Sequence, residues 1–146
     1  MTDPEDIVRS IKIKPVPKAR PRACRIGRFI RMYTPKATEV FEKAVAAAVG
    51  KPPASWIGYD GPVSITVSFR FQAPKSRKLA QGCSWRPHIV RPDLDNLLKS
   101  VLDALQRKEC GLLTDDSRVC MVQAVKVEAT VEPSILLEIK AAKTHD

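Results

Sequence analysis

The chain has 146 residues, 44% of them hydrophobic, and 25 Lys and Arg against 16 Asp and Glu give a formal charge of +9. That length and apolar content fit one domain, residues 1–146, with a core of its own, and exclude wholesale disorder. No apolar run approaches the roughly 20 residues of a membrane span, and the acidic opening MTDPEDIVRS lacks the apolar stretch of a signal peptide, so a soluble intracellular protein is expected.

Residues 7–14 alternate weakly, Ile11 and Ile13 against Lys12 and Lys14, and predict a first strand. Pro15, Pro17 and Pro21 then exclude regular structure over PVPKARPR (15–22), because each lacks an N–H and restrains the residue before it. What is left is an extended cationic segment. Residues 28–33 predict a short strand. Thr34-Pro35 has the form of an N-cap followed by proline at the first helical position. Ala37, Val40, Phe41, Ala44, Val45 and Ala48 then follow helical spacing until Gly50 and Pro52-Pro53 stop it.

Residues 62–71 give the clearest strand: Val63, Ile65, Val67, Phe69 and Phe71 alternate with Ser64, Thr66, Ser68 and Arg70, so one face is buried. Residues 73–90 read as a long basic loop. Residues 93–106 predict a second helix with Leu94, Leu97, Leu98, Val101, Leu102 and Leu105 on one stripe, ended by Gly111. Residues 119–127 and 134–140 predict two further strands around a turn near Glu132-Pro133. The order β-α-β-α-β-β implies a single α+β domain, with a mixed, mostly antiparallel sheet packed by two helices.

Cys24, Cys83, Cys110 and Cys120 form no C-x₂-C pair, and His88 and His145 stand at no zinc-ligand spacing to them. Reduced, partly buried thiols are expected, with neither zinc nor disulfide. Trp56, Trp85, Tyr33 and Tyr59 are isolated and are assigned to packing rather than base stacking.

Charge is blocked along the chain. Ten basic residues and no acid lie between Arg9 and Lys36, and six more with no acid lie between Gly61 and Pro92. From Asp93 to Asp116 the sign reverses, with Asp93, Asp95, Asp103, Glu109, Asp115 and Asp116. Basic blocks suit a polyanion. Carboxylates between them repel phosphate, and a divalent cation would reconcile the two. Solvated surface is the plainer alternative for the same blocks.

In RPDLDNLLKSVLDAL (91–105), Asp93 falls at the N-cap, and Asp95, Lys99 and Asp103 stack one turn apart along a polar edge. An ordinary N-cap and an ordinary i,i+4 ion pair fit these residues too. Asp115-Asp116 lies where the chain leaves the helix for the next strand, and it equally suits a solvated turn. If the two pieces meet, at least three carboxylates converge, an arrangement of hard oxygen donors that Mg²⁺ prefers. No Ser/His/Asp set, Walker A loop or G-x-G-x-x-G competes.

PVPKARPR (15–22), YTPKAT (33–38), APKSRK (73–78), RPDLDNLLKSVLDAL (91–105) and LLTDDSRVCMVQAVK (112–126) together resemble the RusA family of Holliday-junction resolvases, over residues 10 to 140. The resemblance implies a homodimeric, Mg²⁺-dependent endonuclease that acts on four-way junction DNA, in a cytoplasmic bacterial or phage setting with no membrane partner. Matched position by position, the family's essential acids fall on Asp93, Asp95 and Asp116 and its essential lysine on Lys99. Asp103 and Asp115 also match motif positions, and Asp115 joins the expected metal set. Lys18, Arg20, Arg22, Lys75, Arg77 and Lys78 are the expected phosphate contacts. A nuclease for other branched DNA and a non-catalytic nucleic-acid-binding protein are the competing possibilities.

Overall fold

The computed structural model describes residues 3–142. The chain forms β1 (Ile7–Ile11), β2 (Arg22–Ile26), β3 (Phe29–Tyr33), α1 (Lys36–Val49), β4 (Val63–Gln72), β5 (Trp85–Pro87), α2 (Leu94–Gln106), β6 (Val119–Ala129) and β7 (Ser134–Ala141), with short 3-10 turns at Ala54–Trp56, Lys75–Arg77 and Asp116–Arg118.

Five strands make one sheet in the order β1-β7-β4-β6-β5, and β2 and β3 form a separate hairpin. Only β4 and β6 run parallel within the large sheet; the other pairs are antiparallel. Parallel neighbours need a long crossover, and here the crossover carries β5 and α2. The domain is therefore α+β with a mixed, mostly antiparallel sheet and two helices, as the sequence pattern implies.

The alternation of β4 turns Val63, Ile65, Val67, Phe69 and Phe71 to the helical layer. They meet Ile135, Leu137 and Ile139 of β7, Ile7 and Ile11 of β1, Phe41 and Val45 of α1, and Leu97, Val101 and Leu105 of α2. Leu97 is fully buried, and truncating it to alanine would cost about 2–5 kcal/mol. That stripe holds α2 against the core with its polar edge outward.

Several boundaries differ from expectation. β1 stops at Ile11, where Ile13 N–H turns back to the Ile11 carbonyl at 3.0 Å. Pro35, not Thr34, is the N-cap of α1: its φ of −53° and ψ of 140° are extended, and its side chain has nothing to cap with. α2 ends at Gln106, before Gly111. Gly111, at φ 66°, instead closes a following turn by donating to the Arg107 carbonyl at 2.7 Å. The basic loop contains β5, and the hairpin begins as soon as Pro21 is passed. Three thiols are exposed and only Cys110 is buried, against the partial burial expected. His145 lies outside the described residues. Among the described residues no helix is long and apolar enough to cross a membrane.

The aromatics divide. Trp56 is buried and meets Tyr59 edge-on, with ring centroids 5.4 Å apart. Trp85 and Tyr33 are exposed, so their assignment to packing is corrected. Neither lies on the core face.

Candidate active site

Asp93 is the N-cap of α2 by position, with φ −70° and ψ 143°, but its carboxylate caps no helix N–H. Lys126 fixes the approach to it. Its ammonium donates to the carbonyls of Val90 at 2.7 Å and Pro92 at 2.8 Å, while His88 N–H donates to the Lys126 carbonyl at 3.0 Å. The chain is thus tied to β6 just before α2 begins.

The proline-rich strap, residues 12–21, lies across the other side. Ser100 Oγ donates to the Val16 carbonyl at 2.7 Å, and Lys18 N–H donates to the Asn96 carbonyl at 2.9 Å. Prolines leave this segment few N–H groups of its own, and α2 supplies the partners. Between strap and helix start is a cleft of ≈ 290 Å³ lined by Pro17, Lys18, Arg91, Pro92, Asp93 and Asn96. Larger hollows lie elsewhere: one on the bare sheet face, lined by Ser68, Arg70, Trp85 and Val125, holds no carboxylate.

The two acidic segments touch through Lys99. Asp116 Oδ2 lies 3.1 Å from Lys99 Nζ, and Asp103 Oδ1 lies 3.2 Å from the same ammonium. Asp115 and Asp116 divide their work. Asp115 accepts from Ser117 N–H at 2.9 Å, and that bond, with help from Asp116 and the Lys99 charge, holds its carboxyl below the ordinary aspartate value. Asp116 is left to face α2. Arg118 anchors the same turn by donating to the carbonyls of Tyr59 at 2.9 Å and Gly61 at 3.2 Å.

Of its two i,i+4 neighbours, Lys99 pairs with Asp103 and not with Asp95, and it also reaches across to Asp116. The Asp116 and Asp103 hydrogen bonds outweigh the burial that opposes them and raise its pKa above 10.5, so the ammonium stays charged. Asp93 and Asp95 are exposed and, among the described residues, carry no side-chain hydrogen bond or ion pair.

Charges alternate along the two helices from that point. Asp103 Oδ2 lies 3.0 Å from Lys18, Lys18 lies 2.7 Å from Glu42, and Glu42 lies 3.4 Å from Arg107. Asp103 therefore joins Lys99 to the strap. Lys18 is occupied by two acids rather than free for a phosphate, and their hydrogen bonds overcome its burial and raise its pKa. Arg77 likewise donates to Glu128 at 2.7 Å. Arg20, Arg22, Lys75 and Lys78 are exposed.

Sequence reasoning missed the Glu128 cluster. Glu128 is 1% exposed, yet three cationic or ring groups converge on its carboxylate: Arg77 at 2.7 Å, Arg86 at 2.8 Å and His88 Nδ1–H at 2.9 Å. Burial alone would push its pKa up; the Arg86 and His88 hydrogen bonds and the charges of Arg77 and Arg86 bring it below 4.5. The cluster fastens β5 and the basic loop to β6, and His88 Nε2 reaches the Arg91 carbonyl at 3.2 Å. An acid at an inward position of a strand was the available signal.

Among the described residues no group of three His, Cys, Asp or Glu side chains is gathered closely enough to hold a metal ion. The donor chemistry is nonetheless that of a hard cation. Mg²⁺ commonly takes one or two protein carboxylates and completes its shell with water and substrate phosphate. Asp93 and Asp95, exposed and unpaired, are carboxylates of that kind.

A family model described as Endodeoxyribonuclease RusA matches residues 12–140. That span runs from the strap into β7 and includes every residue of the cleft and of the Lys99 cluster. No curated protein matches the chain.

Proposed function

The chain belongs to the RusA endodeoxyribonuclease family, and from that premise we propose that it resolves four-way DNA junctions by paired symmetric nicks, with Mg²⁺ as cofactor. The observation that carries this reading is the Lys99–Asp116 contact at 3.1 Å, which brings an acid from beyond α2 to the helix that begins with Asp93 and Asp95.

Asp93, Asp95 and Asp116 are the residues that would hold Mg²⁺, with Asp115 close behind. The ion supplies Lewis acidity and countercharge at the scissile phosphate. Lys99 stays protonated and offers a fixed donor to the charge that develops on the phosphate oxygens. Asp103 and Asp116 hold that ammonium in place. Hydrolysis that breaks the P–O3′ bond leaves a 5′-phosphate and a 3′-hydroxyl, ends a ligase can seal. Arg20, Arg22, Lys75 and Lys78 position the DNA backbone without reading bases. Lys18 and Arg77 act on the same surface indirectly, by holding the strap and the basic loop.

A four-way junction is close to two-fold symmetric. A C2 homodimer sets two equal sites on that symmetry, which a monomer cannot do.

A synthetic mobile junction incubated with the protein and Mg²⁺ tests the reading. Paired nicks at symmetric positions in opposed strands, absent when EDTA replaces Mg²⁺, are expected. Nicks confined to flaps or forks would show a nuclease for other branched DNA. Intact strands with tight binding would show a non-catalytic binder.

A further inference from the structure

The hairpin of β2 and β3 stands outside the core. Neither strand contains a buried residue. Phe29 is 78% exposed and Ile30 73%, whereas Phe41, Phe69 and Phe71 are all buried. Cross-strand pairs put Ile26 beside Phe29 on one face and Arg25 beside Ile30 on the other. Both faces are therefore bare at the tip, where Gly27 turns at φ 59°. A two-stranded ribbon alone is marginal in water, and a concentrated apolar tip marks a contact surface.

Charge selects the occupant. Arg22, Arg25, Arg28 and Arg31 lie in this hairpin without an acid. A second copy of the same ribbon would bring four more arginines against these four, so self-pairing is repelled. A polyanion is attracted. The root of the hairpin is tied to the candidate site, because Lys18 is bonded to Asn96 and lines the cleft with Asp93. Arg22 is four residues on from Lys18, so the root lies within about 14 Å of that bond. Strands of this length carry the tip about 17 Å further.

We propose that this hairpin is a wedge for branched DNA. Its arginines track the phosphates flanking the branch, and Phe29 and Ile30 pack on the base pair exposed at the branch point and hold it open. An apolar wedge must unstack bases in a continuous duplex; at a branch the stack is already interrupted, so the same insertion costs least there. The inference rests on the DNA-nuclease reading and adds a contact to bases that the backbone contacts of that reading do not supply.

The test uses the full chain and a four-way junction with 2-aminopurine at the branch point, in EDTA so that strands remain intact. Binding should raise the fluorescence. Phe29→Ala should abolish the rise and weaken junction binding roughly 10-fold, with little effect on linear duplex. Phe29→Trp should restore both. Tight junction binding without a fluorescence rise, or an equal rise with Phe29→Ala, would overturn the wedge. So would sedimentation showing that Phe29→Ala converts a dimer to monomers, because the tip would then be a self-interface. Cleavage is scored separately with Mg²⁺: failure to cut sinks the nuclease reading, while the fluorescence decides the wedge.

Discussion

Lys99 Nζ and Asp116 Oδ2 stand 3.1 Å apart although they are 17 positions apart in the chain. The contact is built from both sides. The leucine stripe of α2 fixes the side of the helix on which Lys99 emerges, and the Asp115 cap with the Arg118 anchor fixes the turn that presents Asp116.

Replacing Lys99 tests whether that contact serves chemistry. Lys99→Ala removes one exposed cation and leaves the core intact. Its junction-nicking rate should fall on the order of 10²–10³-fold, while circular dichroism and thermal unfolding stay near wild type. A variant that folds and nicks at the wild-type rate would remove Lys99 from the site.

Asp95 is the acid whose loss should separate binding from cutting. Asp95→Asn keeps the shape of the side chain and removes a charge that repels phosphate. Nicking should be abolished, and junction affinity in EDTA should hold or rise. Gel-shift and cleavage assays on one junction measure both. Undiminished nicking would take Asp95 out of the metal set.

Much of this was legible in the chain, for identifiable reasons. Val63 to Phe71 alternates because one face of β4 meets the core. The stripe from Leu94 to Leu105 repeats at helical spacing because α2 lies on that face. The motif offers Asp93, Asp95, Lys99 and Asp116 as candidates, and the fold brings Asp116 to Lys99. Side-chain direction was not legible. Spacing puts Lys99 four residues from both Asp95 and Asp103, and only the fold shows that it turns to Asp103 and Asp116. The inward position of Glu128 hints at a buried acid, but its partner Arg86 is 42 residues away and nothing local records the pairing. β5 is three residues long and has no room for a pattern. Lys18 carried the same charge signal as its neighbours, and only the fold shows it bound between Glu42 and Asp103.

Glu128 predicts an acid-sensitive loop. Its folded pKa lies below the ordinary 4.5, so its stabilisation is present above that value and is lost as pH falls through the lower folded value. Glu128→Gln leaves Arg86 and His88 without their anion and should cost roughly 3 kcal/mol near neutral pH, the lower end for a broken buried pair because the arginines reach solvent. Urea unfolding from pH 3 to pH 7 should show wild type and variant converging at the acid end. A constant gap across that range would contradict the charged role of Glu128.

The basic residues divide into two classes, and salt separates them. Lys75 and Lys78 are exposed on the loop that Glu128 fastens, free to meet phosphate. Lys75→Ala and Lys78→Ala should each weaken junction binding whatever the sequence and lower the slope of log K against log salt by about 0.9. Lys18 belongs to the other class. Its ammonium lies 2.7 Å from Glu42, whose side chain is 6% exposed, and 3.0 Å from Asp103. Lys18→Ala leaves the Glu42 carboxylate, among the described residues, with only Arg107 at 3.4 Å. It also frees the strap from α2 on its charged side and leaves Asp103 to Lys99 alone. Folding stability should drop by roughly 3 kcal/mol and nicking should slow through the loosened Lys99, while the salt slope of residual binding stays at the wild-type value. Lys18→Arg, which keeps the charge between the two acids, should recover most of the stability. A lowered salt slope with unchanged stability for Lys18→Ala would move Lys18 into the phosphate-binding class.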